Sequence, residues 1–139
     1  MRELVRCYQA FESYSAANIR ELGLTPSQFD IIATLGNTAG MTSKLLGEKT
    51  LITKGTLTGV VDRLIAKGLV RRTQCDHDGR SQIVQLTKKG EAEFDSVFPA
   101  HAAFIGKLFV DFKAEDFARI QAVLQELRTV LDGAADSPR

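Results

Sequence analysis

The chain has 139 residues, 44% of them hydrophobic, with 18 Lys or Arg against 17 Asp or Glu and a formal net charge of +1. That length and balance fit one globular domain with room for an appended element, and they exclude a simple basic-tail binder. Two cysteines give no disulfide framework, the start MRELVRCY is polar and periodic rather than a secretory leader, and no stretch reaches the roughly 18 apolar residues of a spanning helix, so a soluble cytoplasmic protein without membrane association is expected.

From the N-terminus, LVRCYQAFESYSAANIREL puts Leu4, Cys7, Tyr8, Phe11, Tyr14 or Ser15, and Ile19 on one helical stripe. On that stripe Cys7 is expected to be a buried small hydrophobe, not a reactive thiol. Gly23 stops the helix. In GLTPSQFDIIATL, Thr25 reads as an N-cap, Pro26 as the first helical residue and Gln28 as the partner in a capping box, with Phe29, Ile32 and Leu35 facing a core. GNTAG ends that helix. MTSKLLGEKTLI predicts a short helix capped by Thr42, with Leu45 and Leu46 as its apolar side. TKGTLTGVVDRLIAKGL predicts another, capped by Thr53, burying Leu57, Val60 or Val61, and Leu64, and terminated by Gly68.

The hydrophobic period then changes. VRRTQ and SQIVQL read as two short strands flanking CDHDGR, with Val84 and Leu86 on one face. Thr87 caps the next helix, KKGEAEFDSVFPAHAAFIGKLF. A last amphipathic helix, KAEDFARIQAVLQELRTVL, is expected to hold Phe117, Ile120, Val123 or Leu124, Leu127 and Leu131 inside, and DGAADSPR to be a frayed tail. The expected fold is mainly α with a small β-hairpin. The two short capped helices and the hairpin after them form a winged helix-turn-helix.

Charge is segregated along this order. Residues 41–90 carry ten basic and four acidic side chains, whereas the remainder carries eight basic and thirteen acidic ones. A basic centre between acidic flanks favours contact with a polyanion. The outward positions of the second short helix are Lys54, Gly55, Thr56, Thr58, Gly59 and Arg63, after Thr53 at its start. Hydroxyls and a lysine can meet base edges, glycines allow close approach, and the helix N-terminus favours a phosphate. Two glycines inside a helix each cost about 1 kcal/mol relative to alanine, which a plain surface helix has no reason to carry.

In CDHDGR, the residues Cys75, Asp76, His77 and Asp78 are all ligand-capable. Neighbours in an extended segment point opposite ways, and no second cluster pairs with them, so neither a metal site nor a Cys75–His77 dyad is favoured. Asp78 and Gly79 suit a tight turn, Asp76 and Asp78 can steady Arg80, and such an arginine can enter a minor groove. Arg71, Arg72, Lys88 and Lys89 are expected along phosphates. No cofactor and no metal is expected. Six of the eight phenylalanines lie after residue 90, more apolar surface than a small winged helix needs, so the terminal helices are read as a homodimerisation region. The expected segments are a dimerisation helix over 1–22, the DNA-binding domain over 23–90, dimerisation helices over 91–133 and a tail over 134–139.

LTPSQFDIIATL, KGTLTGVVDRLIAKGLVRR and DHDGRSQIVQLTKKG together resemble the MarR family of bacterial regulators (multiple antibiotic resistance). The specific part is Asp76, Asp78, Gly79 and Arg80 followed by Leu86, Thr87 and Gly90. The resemblance implies a homodimeric winged helix-turn-helix binding double-stranded DNA, a repressor released by a small aromatic or phenolic effector. It makes 53–63 the recognition helix and Arg80 the wing-tip arginine. Gly79 stands where some members carry a second arginine, and the surroundings of Cys7 lack the pattern of the peroxide-sensing members. Tyr8, Phe11, Tyr14 and Phe29 are candidates for the effector pocket, although the same residues serve equally as plain core. The other readings are a ligand-binding protein-interaction module without operator binding, and a metal or thiol hydrolase using Cys75 and His77.

Overall fold

The structure, a computed structural model, describes residues 1–75 and 78–135, with the backbone alone for Cys75 and for 78–80. Expectations for Asp76, His77, the side chains of Cys75, Asp78 and Arg80, and the tail past 135 lie outside the described residues. The chain divides into two compact units, Met1–Ile105 and Gly106–Arg139.

In the first unit, α1 (Arg2–Glu21) leads to α2 (Pro26–Leu35), a short strand β1 (Met41–Thr42), α3 (Ser43–Thr50) and α4 (Lys54–Ala66). The hairpin strands β2 (Val70–Cys75) and β3 (Asp78–Leu86) and the helix α5 (Lys88–Gly106) complete it. The strands form one antiparallel sheet in the order β1-β3-β2. This is a winged helix-turn-helix, with a two-residue strand that the sequence reading did not foresee. β1 is too short to show a period, and it exists because Met41 pairs with Val84 and Thr42 with Ile83.

Local chemistry builds these elements as expected at three of four starts. Thr25 accepts from the Gln28 amide while Gln28 accepts from the Thr25 amide, a complete capping box. Thr42 accepts from the Leu45 amide, and Thr87 from the Gly90 amide. The fourth differs. Thr53 occupies the cap position of α4, but its side chain makes no cap bond and its hydroxyl donates to the Thr56 hydroxyl at 3.2 Å. α4 ends where Gly68 takes a φ of +73°, a left-handed conformation open to glycine.

The core gathers Phe29, Ile31, Ile32 and Leu35 of α2, Leu46 of α3, Leu57, Val60, Val61 and Leu64 of α4, Val70, Val84 and Leu86 of the hairpin, and Phe94 and Val97 of α5. Both valines of α4 are buried, not one of the two. Leu45 is a correction: it is 40% exposed, because α3 turns only Leu46 fully inward. Cys7 is another. It is exposed, since only Ala16 and Ile19 of α1 are buried and the first turns run past the core.

The second unit holds a 3₁₀ turn (Lys107–Phe109) and α6 (Ala114–Ala135). Phe109, Phe112 and Phe117 cluster there with ring centroids 5.2 to 5.6 Å apart. The stripe expected inside is not covered. No residue of α6 is buried, and Phe117, Ile120, Val123, Leu124 and Leu131 are exposed while Leu127 is half-buried. A 3.6-residue period shows that a face exists, not that the same chain covers it.

Candidate nucleic-acid interface

α4 is anchored through Leu57, Val60, Val61 and Leu64, which leaves Lys54, Gly55, Thr56, Thr58 and Arg63 exposed and Gly59 half-buried. Helical spacing divides these residues. Lys54 and Thr58 lie on the wall of an open cleft of about 870 Å³, together with Leu57, Val61 and Asp62. Gly55, Gly59 and Arg63 follow one another at four-residue steps outside that wall. Nothing lies within 4 Å of where a Cβ would stand on Gly55 or Gly59, so the protein itself does not require glycine at either position. The Thr58 hydroxyl donates to the Lys54 carbonyl at 3.2 Å. Because Thr53 makes no cap bond, the first-turn amides of α4 have no acceptor from it.

The hairpin separates the two neighbouring arginines. Successive side chains on a strand point to opposite faces. Arg72 pairs with Val84 and Val70 with Leu86, which puts Arg72 on the same face as three buried side chains. From there its Nη1 donates to Asp62 Oδ1 of α4 at 2.7 Å. Arg71 lies on the opposite face, exposed. With the Gln85 amide turned to satisfy its neighbours, Gln85 accepts from Arg71 Nε and Nη2 at 2.8 and 3.0 Å and donates to the Ala39 carbonyl. Lys88 is exposed at the start of α5, and Lys89 Nζ donates to the Lys67 carbonyl at 2.8 Å, closing the end of α4.

The motif residues from the end of the hairpin onward have physical duties. Leu86 is in the core. Thr87 donates to the Gly68 carbonyl at 2.6 Å while capping α5. Gly90 lies so close to Leu69 that a Cβ would overlap its carbonyl oxygen. These contacts join the end of α4, the wing and α5.

The effector candidates separate. Tyr14 stacks on Phe104 at 4.5 Å, and Phe29 meets Phe98 and His101. Tyr8 and Phe11 stay exposed and make no ring contact among the described residues. His101 was missed in the sequence. It is 7% exposed, with Nδ1 2.9 Å from Asn18 Oδ1 and Nε2 3.0 Å from the Ser15 hydroxyl. The Asn18 oxygen can only accept, so Nδ1 carries the hydrogen and Nε2 accepts from Ser15. Burial holds the imidazole below its ordinary value. A lone histidine with partners 83 and 86 residues away leaves no local signal. Asp30 on α2 is pushed above the ordinary carboxyl value, first by desolvation and then by the Glu12 charge. Among the described residues, no group of three or more His, Cys, Asp or Glu is placed to hold a metal, and no helix is long and apolar enough to cross a membrane.

Comparison with known proteins places this arrangement. A family model described as MarR family matches residues 22–81. The HTH-type transcriptional regulator MhqR of Bacillus subtilis (strain 168) is 28% identical over 124 residues, covering 89% of this chain and 86% of that protein. The homoprotocatechuate degradative operon repressor of Escherichia coli is 26% identical over 123 residues, covering 88% and 83%. Among solved structures, AbsC, a MarR family transcriptional regulator from Streptomyces coelicolor, matches with a TM-score of 0.85 at 25% identity, over 95% of this chain and 91% of AbsC.

Proposed function

We propose that the chain, whose residues 22–81 match a MarR family model, is a DNA-binding transcriptional regulator of that kind and acts as a homodimeric repressor of a pseudo-palindromic operator. The observation that carries the reading is α4: a helix buried on one side and exposing lysine, threonine, glycine and arginine on the other, immediately before a hairpin. In this reading the exposed face of 53–63 meets base edges and phosphates, Arg71 and Lys88 lie along the backbone, and Arg80 enters a minor groove, with Asp76, Asp78 and Gly79 shaping its turn. The apolar residues left exposed on α1 and α6 support a second copy as their cover, which would set two recognition helices about 34 Å, or a multiple of it, apart. The name of the Escherichia coli relative favours repression over activation. The relatives are named as regulators, and on that ground the hydrolase reading of Cys75 and His77 is set aside.

A small aromatic effector is the finer part of the proposal. Its support is the ring cluster of Tyr14, Phe29, Phe98, His101 and Phe104, which joins α1, α2 and α5 behind the helix-turn-helix.

Selection of bound fragments from the source genome tests the main reading. The expected result is a footprint with two related half-sites about one helical turn apart, or a multiple, at a discrete set of loci. Recovery of random fragments only, with affinity independent of sequence at matched salt, would overturn it.

A further inference from the structure

We propose that Asp62 and Arg72 form a positioning pair that sets the wing against the recognition helix, so that an acidic residue on the DNA-binding helix strengthens DNA binding. The inference rests on the duplex-binding reading. The position of Asp62 sets up a conflict of charge. Asp62 is exposed on α4 between Val61 and Arg63, and Coulomb repulsion alone makes a carboxylate there unfavourable beside a polyanion.

The geometry resolves the conflict. Arg72 emerges from the side of β2 that also carries Val70, so it points toward α4 rather than outward with Arg71. Its Nη1 lies 2.7 Å from Asp62 Oδ1, and its side chain is 26% exposed against 58% for Asp62. The contact joins two elements, ten residues apart along the chain. Both residues also line the open cleft that separates α3 and α4 from the hairpin at Ser81 and Gln82. Core packing by Val70 and Val84 holds the base of the hairpin, but the cleft side is not filled by side chains. The ion pair is a polar tie on its wall. An exposed pair of this kind contributes little to global stability. Fixing the angle between two surfaces that engage one duplex is a different effect, because each phosphate or base contact on the wing depends on that angle.

Arg72 is then a positioning residue rather than a phosphate ligand, and the two roles predict opposite outcomes. Affinity for the selected duplex is measured at matched salt for the wild type, Asp62→Asn, Arg72→Gln and the double variant. With the pair acting as proposed, Asp62→Asn weakens binding about fivefold, Arg72→Gln weakens it at least as much, and the double variant is no weaker than Arg72→Gln. Arg72→Lys, which keeps a cation in reach of Asp62, retains most of the affinity. Binding by Asp62→Asn that equals or exceeds the wild type overturns the proposal, as do single effects that simply add. Amide hydrogen exchange in the free protein supplies a readout without DNA. At Arg72 and Thr73 it is expected to be about fivefold faster in Asp62→Asn. Unchanged exchange there overturns the positioning pair even where DNA binding persists. A wild type that fails to retain any duplex overturns the duplex-binding reading instead, and the pair is then decided by exchange alone.

Discussion

His101 is the residue whose environment departs furthest from what its neighbours in the chain suggest. Desolvation holds its imidazole below the ordinary value of 6.5. Above 6.5, folded and unfolded chains both carry it neutral, and the stability it permits is fully present. As pH falls below 6.5, the unfolded chain binds a proton that the folded chain resists, so stability is lost at up to about 1.4 kcal/mol per pH unit. Protonation would also put a second donor on Nε2, against a Ser15 hydroxyl that must then turn to accept. Urea unfolding at about pH 7.5 and about pH 5.5 checks this. The difference between the two is expected to shrink in His101→Gln, and an equal difference in variant and wild type would show that other groups account for it. Gly90 is a contrasting residue. Its place in a motif was legible in the sequence, but the reason for it, the Leu69 carbonyl, lies 21 positions back in the turn between α4 and β2.

Among the elements, α4 carries features that helix propensity alone disfavours. Its first turn lacks a side-chain cap, and two of its thirteen residues are glycines around which the protein leaves open space. Gly55→Ala and Gly59→Ala are therefore expected to raise stability by up to about 1 kcal/mol each, from helix propensity alone. In the proposed interface the added methyls meet the duplex, so affinity is expected to fall while stability rises. Thermal unfolding and duplex titration of the double variant measure both. A gain in stability with no loss of affinity would remove these glycines from the contact surface. The remaining elements were largely legible, because their signals are local. The Thr25–Pro26–Gln28 box, the Thr42 and Thr87 caps and the change of period at Val70 each involve residues within a turn or a strand of one another. β1 was not legible, since two residues acquire strand geometry only from their partner β3.

For the whole molecule, the question is what covers the apolar residues that the single chain leaves exposed. Leu4, Val5, Tyr8 and Phe11 on α1, and Phe117, Ile120, Val123, Leu124 and Leu131 on α6, are all exposed. Single exposed apolar residues are ordinary, but rows of them along two helices mark an interface. The proposed homodimer predicts that Leu4→Glu combined with Phe11→Glu weakens self-association by at least about tenfold, a loss of about 1.4 kcal/mol, because two charges would have to be desolvated per protomer. Sedimentation equilibrium measures this. An unchanged dimer constant would exclude this part of α1 from the interface.

The residues by themselves determined the helix order, three of the four caps, the hairpin and the candidate recognition face, since each follows from short-range hydrogen bonding or from a hydrophobic period. The wing motif could be recognised as a string for the same reason: its residues are close in sequence. Tertiary structure decided what distance along the chain conceals. It turned Arg72 toward Asp62 and left Arg71 outside, through the alternation of β2 against a buried face. It buried His101 between Ser15 and Asn18, and it left Cys7 and the α6 stripe uncovered. Periodicity reports which side chains share a face. Only the packed chain decides whether that face meets its own core, another side chain or solvent.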